Sequence, residues 1–191
     1  MIKSKTELFN AVLTRLGEKR INDSNVTDAS AVVLRDVYQQ SVDEVLASYP
    51  WSCATSRAVL AHLDGDNFTG YAHMYQIPAD CLQIISLLDA EEYYPLTDDY
   101  VREGRVLYTD VPVVAVKYTR RIEFYDMDTL VQNALVFLLA AKSAYRITQN
   151  AQLEQDMLIQ YQGARLEAEF ADGYEKKNRN ADQMDRGWLI P

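Results

Sequence analysis

The sequence of 191 residues has few cysteines and no long apolar run. Its two cysteines, Cys53 and Cys81, are too few for a disulfide framework, and a free cysteine in an apolar, strand-like segment is usually a small core residue. The longest apolar stretch, Ala134 to Ala141, is much shorter than the about 20 residues that span a bilayer. The first residues also lack the apolar run of a signal peptide. We therefore expect a protein made in a reducing cytoplasm, with no membrane partner.

Positive charge is scarce as well. Nineteen Lys and Arg residues against 28 Asp and Glu residues give a net charge of −9 and a pI near 4.7. An acidic surface repels phosphate, which argues against a protein that wraps nucleic acid. The basic residues occur as isolated pairs such as Lys19-Arg20 and Arg120-Arg121. This acidity fits a solvated surface, and it also fits a wall past which DNA slides without sticking.

Histidine is limited to two residues, His62 and His73, which flank an acidic loop containing Asp64 and Asp66. A zinc site usually needs three or four convergent ligands with a supporting outer shell, and this spacing matches none of the known patterns. We expect neither a metal nor any other cofactor.

Two acidic pairs, Glu91-Glu92 and Asp98-Asp99, could supply paired catalytic carboxylates. A glycosidase needs two carboxyl groups about 5–9 Å apart across a sugar cleft. Adjacent acids on a strand or loop point apart, and such pairs are mostly solvated surface. A non-enzymatic protein is therefore expected, and a hydrolase stays as the alternative.

Helical patterns occupy both ends of the chain. Ser4 and Glu7 have the spacing of a capping box, and an apolar stripe follows as far as Gly17, which supplies a left-handed stop. Asp28 is placed to cap a second, longer helix. That helix ends before Pro50, since the residue preceding a proline is pushed out of the helical region.

The third and fourth helices follow in the second half of the chain. Asp126 or Asp128 is expected to cap the third, which reaches about Thr148 and is apolar over more than one stripe. The fourth is expected to begin after Asn150 and to end at Gly173. Its predicted apolar stripe contains Leu153, Met157, Tyr161, Ala164, Ala168 and Phe170.

The middle of the chain has a different pattern, of short β-branched and aromatic runs divided by turn residues. Glu103-Gly104 predicts a hairpin turn, because glycine tolerates a positive φ. In the last run Lys117, Thr119 and Arg121 alternate with Val116, Tyr118 and Arg120, which predicts a strand that emerges at the surface. The predicted strands lie around Val59-Leu60, Tyr75–Ile77, Leu82–Leu88, Tyr93-Tyr94, Val106–Tyr108 and Val113–Tyr118.

These patterns predict an α+β protein in which both chain ends build one helical bundle. The bundle is assigned to residues 1–50 and 126–173, and an inserted antiparallel β-rich subdomain to residues 51–125. Residues 174–191 are predicted to form an extended C-terminal arm, because they are mostly polar and lack a helical periodicity.

Four segments of the sequence stand out together, in this order. The first is the opening segment Lys5-Thr6-Glu7-Leu8 with Ala11, Leu13 and Leu16-Gly17-Glu18. The others are the proline–tryptophan junction Tyr49-Pro50-Trp51-Ser52, the segment Tyr75-Gln76-Ile77-Pro78-Ala79-Asp80-Cys81-Leu82, and the closing order of a Val116-Lys117-Tyr118 strand, an acidic loop, an alanine-rich helix and a last helix. In this order and spacing they resemble the phage head-to-tail connector proteins, the podovirus tail tubular protein A family.

The resemblance implies a structural subunit of the virion neck. Copies would form a ring, twelve-fold in the family, that sits beneath the portal protein and continues into the tail nozzle protein. Genomic DNA would pass through the lumen without sequence-specific binding. Some relatives are associated with cell-wall hydrolysis, so a tail-associated peptidoglycan hydrolase and another type of tail-completion protein remain alternatives.

Two groups of residues are predicted to matter most. Pro50, Trp51, Pro78 and Asp80 are assigned to structural junctions, with the Trp51 indole bonded to a partner and the Asp80 carboxylate accepting from nearby backbone amides. Arg186, Trp188, Leu189 and Ile190 lie about ten residues beyond the fourth helix and either fold back or anchor in a partner's groove. The resemblance favours the portal protein as that partner.

Overall fold

The computed structural model describes residues 2–24, 27–65, 67–90, 95–96 and 99–186, and from 178 to 186 it describes the backbone alone. These residues form four α-helices and two antiparallel sheets, which confirms the predicted α+β class with helices at both ends. The chain divides into two compact units, a helical unit of residues 1–53 and 122–191 and a β unit of residues 54–121.

In the helical unit, one central helix contacts the other three. The helices are α1 (Lys5–Leu16), α2 (Ala29–Ala47), α3 (Thr129–Thr148) and α4 (Ala151–Arg186). Packing joins α3 to α1, α2 and α4. Almost every residue between Val131 and Ala144 is buried, as expected for a helix that is apolar on several sides.

Side-chain caps and one buried asparagine fix the first two helices. The Glu7 amide donates to Ser4 Oγ at 3.1 Å, while the Glu7 carboxylate accepts from the Lys3 amide at 2.8 Å. Asp28 accepts from the Ser30 amide at 2.9 Å at the start of α2. Asn10 is buried and exchanges two hydrogen bonds with the backbone of Ile21, which holds the chain that leaves α1 against it.

The fourth helix is longer than predicted. It contains 36 residues and continues through Gly173 to Arg186, so residues 174–186 of the predicted arm are helical. A glycine within a helix costs only about 1 kcal/mol relative to alanine, and the glutamate and lysines that follow favour helix. An ion pair between Asp172 and Lys176, one turn apart, also spans the glycine.

The β unit contains two sheets, both antiparallel. Strands β1 (Thr55–Val59), β7 (Val114–Arg120) and β4 (Cys81–Asp89) form one sheet in the order β1-β7-β4. The other has the order β2-β3-β6-β5 and contains β2 (Ala61–His62), β3 (His73–Gln76), β6 (Val106–Thr109) and β5 (Tyr100–Glu103). The predicted hairpin turn joins β5 to β6, with Glu103 opposite Val106 and Gly104 at φ +58°. Tyr93-Tyr94, predicted as a strand, lies outside the described residues.

One strand prediction was wrong. Strand β7 does not emerge at the surface but is the central strand of its sheet, hydrogen-bonded on both sides. Thr119 is fully buried, and Lys117 is half-buried because a long aliphatic stem can cross apolar surface before its charge reaches water. Val114, Val116 and Tyr118 join the core of this unit, together with Leu60, Tyr75, Ile77, Cys81, Leu87 and Leu107.

Candidate functional site

The predicted junction at Pro50 and Trp51 lies at the end of α2, within the helical unit. Trp51 is fully buried. Its indole Nε1 donates to the Val45 carbonyl at 2.7 Å, and its ring lies 4.8 Å from that of Tyr49. A large side chain that is buried with its polar atom bonded has a structural role here, because none of its surface is left for a partner.

Two residues of α4 complete this junction, and sequence reasoning missed both. Asp172 accepts from the Ser52 amide at 2.9 Å, and Lys176 donates to the Pro50 carbonyl at 2.6 Å. The Lys176 ammonium also lies 4.7 Å above the Tyr49 ring and 2.5 Å from the buried Asp172 carboxylate. The four-residue spacing of Asp172 and Lys176 is typical of an ion pair on a helix. It was missed because the fourth helix was predicted to end at Gly173, between the two residues.

Cys53, next to this junction, is half-buried with a free thiol. Burial raises the pKa of the thiol to about 11, and the nearby carboxylates of Asp128 and Asp172 add to the shift, while a backbone hydrogen bond from Asp128 opposes it. A thiol that stays protonated at neutral pH is a poor nucleophile and a poor metal ligand. This cysteine is therefore part of the packing.

Pro78 and Asp80 form a turn in the β unit, where the Cys81 amide donates to the Pro78 carbonyl at 3.0 Å. The expected partner of the Asp80 carboxylate was a local backbone amide. The carboxylate instead accepts from the Tyr118 hydroxyl at 3.3 Å, and the Asp80 carbonyl accepts from the Arg121 amide at 2.7 Å. These bonds tie the turn to the central strand β7 and to the residue that follows it, in a segment that the sequence analysis placed at the surface.

The predicted portal-binding residues lie at the end of the chain. Arg186 is the last residue of α4, and Trp188, Leu189 and Ile190 lie outside the described residues. At 1.5 Å per residue, the 36 residues of α4 measure about 54 Å, against about 30 Å for the 20 residues of α3. The helix thus carries Arg186 ten residues past Lys176, where α4 contacts Pro50.

The outward side of α4 carries an apolar surface that we call the outer stripe, made of Ile159, Leu166, Phe170 and Tyr174. These side chains are 62%, 56%, 85% and 69% exposed. Their separations of seven, four and four residues place them within about 80° of one another around the helix. The buried residues Tyr161, Ala164 and Ala168 lie on the opposite side, so the outer stripe faces away from α3.

This arrangement corrects the predicted apolar stripe of the fourth helix at one position. Phe170 was grouped with Tyr161, Ala164 and Ala168, but it is 85% exposed. The helical period explains the error, because Phe170 follows Ala168 by two residues and so points about 200° away from it. Among the described side chains of this helix, one further large apolar residue is exposed, Leu158, and it lies outside the outer stripe.

A second surface, the α1–α2 recess, is an open cavity of about 490 Å³ whose lining includes Lys3, Lys5, Arg35, Tyr38, Glu123 and Tyr125. Three cationic groups thus face one carboxylate in a protein whose net charge is −9. Lys5 lies 3.9 Å above the Tyr38 ring, and burial lowers the pKa of this lysine. Burial and the adjacent Glu123 raise the pKa of Tyr38, which keeps its hydroxyl neutral.

Neither the candidate metal group nor the candidate hydrolase group lies wholly within the described residues, since Asp66 is outside them as well. The rings of His62 and His73 lie 5.7 Å apart, and His62 Nδ1 is 3.5 Å from Asp64. Over the described part of the chain, no group of three potential metal ligands was found. Of the two acidic pairs, Glu91, Glu92 and Asp98 lie outside the described residues, and Asp99 is exposed. In the same part of the chain, no helix is both long enough and apolar enough to span a membrane.

Comparison of the sequence with models of known protein families gave no match. Comparison with curated proteins gave no match either. The outer stripe, the α1–α2 recess and the extended end of α4 are therefore the features from which a function must be argued.

Proposed function

We propose that this protein is a structural phage head-to-tail adaptor. Its copies form a ring beneath the portal protein, join it to the tail nozzle protein and line the channel through which genomic DNA passes. The observation that carries the proposal is α4, which continues as helix to Arg186 and bears the exposed outer stripe on the side away from α3. A long helix with an apolar outward face and a terminal sequence Arg-Gly-Trp-Leu-Ile-Pro suits a protein that works through contacts.

The fold and charge support the same proposal. A bundle closed by both chain ends, with an antiparallel β unit inserted between α2 and α3, agrees with the element order of the resemblance to head-to-tail connectors. The net charge of −9 disfavours sticking to phosphate, which suits a channel that DNA must leave quickly. We propose a non-enzymatic role for the same protein, in the neck of the virion.

Assembly of the ring is proposed to depend on the portal. Each subunit makes the same moderate contacts with its neighbours, and a closed ring adds these contacts around the axis. Mutual repulsion between acidic subunits opposes association until the portal holds them side by side. The purified protein is therefore expected to be a monomer at low concentration.

Truncation of the C-terminal residues tests this proposal. Deleting Arg186 to Pro191 is expected to leave the melting temperature unchanged and to abolish binding to the purified portal protein of the same phage. A matched control replaces Gly187 to Pro191 by five Gly and Ser residues, which keeps the chain length and removes Trp188, Leu189 and Ile190. Binding of the truncated protein at full strength would rule out the anchor, and failure of the intact protein to bind the portal would overturn the proposed function.

A further inference from the structure

No element among the described residues covers the outer stripe of α4, as its high exposures show. A row of exposed apolar side chains along one side of a helix is typical of an interaction site. Asp156 and Glu167 are exposed and lie along one edge of the outer stripe, since the helical period places them about 60° and 80° from Ile159. The exposed Lys177 continues the line of the outer stripe past Tyr174 and offsets one of the two negative charges. The surface that covers the outer stripe should therefore combine aromatic or apolar groups with positive charge.

The α1–α2 recess has this composition. Lys3, Lys5 and Arg35 supply the positive charge, and Tyr125, half exposed, supplies an aromatic rim. A larger open hollow of about 820 Å³ between α1, α3 and α4 fits less well. The charges of Arg15 and Asp156 cancel in this hollow. Ile159 of the outer stripe also lines it, so the hollow adjoins the outer stripe of the same copy and is a poorer partner for the outer stripe of another copy.

The two surfaces belong to different elements of one unit. Residues of α1, α2 and the segment 123–125 line the recess, and none of its described lining residues comes from α4. Both groups of elements pack against α3. A contact between two different surfaces of identical subunits is heterologous, and when its rotation closes it produces a ring.

We infer that the outer stripe of one copy docks in the α1–α2 recess of the next copy around the ring. This inference rests on the proposed function, because that function supplies the ring. It identifies the two surfaces that form the contact between neighbouring copies, which we call the joint. Phe170 is the central anchor, because it is the most exposed of the four apolar side chains. Asp156 and Glu167 set the orientation by facing Lys3, Lys5 and Arg35 of the neighbour.

A photo-crosslinking experiment tests the joint directly, first without the portal and then with the portal added. p-Benzoylphenylalanine is placed at position 170, and equal amounts of ¹⁴N- and ¹⁵N-labelled protein are mixed at high concentration and irradiated. Mass spectrometry is expected to find mixed-isotope crosslinks from position 170 to peptides containing residues 3–5, 35–39 or 123–125. The matched control carries the same amino acid at position 158, where Leu158 is 44% exposed but lies off the outer stripe, and it should give at least tenfold fewer such crosslinks.

Charge reversal gives a second reading. Glu167→Lys and Lys3→Glu, each at an exposed position, should each reduce the mixed-isotope crosslinks several-fold, and the double variant should recover part of the yield. Crosslinks confined to one copy, crosslinks from stripe to stripe, or no crosslinks between copies even when the portal is added would overturn the inference.

Failure of the inference and failure of the proposed function are distinguishable. If the intact protein forms rings on the portal but position 170 crosslinks elsewhere, the adaptor function stands and this joint is wrong. If position 170 crosslinks to the recess while the protein ignores the portal, the joint stands and the adaptor function is wrong.

Discussion

At the scale of single residues, the buried Asp172 is important for the fold, because it joins α4 to the segment that follows α2. It is only 7% exposed, accepts from the Ser52 amide and pairs with Lys176, which in turn donates to the Pro50 carbonyl. A buried carboxylate is stable only when its charge and lone pairs are compensated in this way. The junction around Trp51 therefore depends on a residue 120 positions further along the chain.

Replacing Asp172 by alanine is expected to lower the free energy of unfolding by about 1–3 kcal/mol, because the Ser52 amide loses its acceptor and Lys176 loses its ion-pair partner. Urea unfolding followed by circular dichroism measures the change. Glu167→Ala, an exposed acid on the same helix, is the matched control and should stay within about 0.5 kcal/mol of the parent. Equal effects of the two substitutions would show that Asp172 does not hold the junction.

At the scale of elements, local signals predicted the helices better than the strands. Ser4, Asp28 and Gly17 mark the ends of α1 and the start of α2 through caps that involve neighbouring residues only. The place of β7 in its sheet follows from pairing with β1 and β4, which are distant in sequence. No local sequence pattern indicates which strand becomes central, and the alternation around Lys117 predicted a surface strand instead.

The end of α4 is a second place where a local sequence signal gave a wrong prediction. Gly173 resembled a stop signal, but a helical C-cap glycine needs a left-handed conformation, and Gly173 is not among the residues with positive φ. Contacts from Asp172 and Lys176 to the junction keep the helix intact across it. Tertiary contacts thus override a local preference worth about 1 kcal/mol.

Gly173→Ala is expected to stabilise the protein by about 0.5–1 kcal/mol, because alanine favours helix and the added methyl meets only the Tyr49 hydroxyl at an ordinary 3.7 Å. Gly17→Ala, at φ +74°, should instead destabilise by about 1 kcal/mol. Thermal unfolding of both variants beside the parent checks the contrast. Destabilisation by Gly173→Ala would mean that the helix ends there, as the sequence alone had suggested.

At the scale of the whole molecule, the sequence predicted the α+β class and the insertion of a β-rich segment between two helical ends, because composition and periodicity change sharply along the chain. The outer stripe could also have been predicted from the sequence, since Ile159, Leu166, Phe170 and Tyr174 have helical spacing. The α1–α2 recess could not be predicted from the sequence, because residues 3–5, 35–39 and 123–125 come together only when the chain folds.

The central claim is that copies of this protein act together as a ring between portal and nozzle. Electron cryomicroscopy of the purified protein mixed with purified portal protein tests it most directly. The account predicts a closed ring of copies on one end of the portal, with the twelve-fold symmetry that the resemblance implies and α4 of each copy against its neighbour. Portal particles without added density, or single copies that remain separate from the portal, would contradict it.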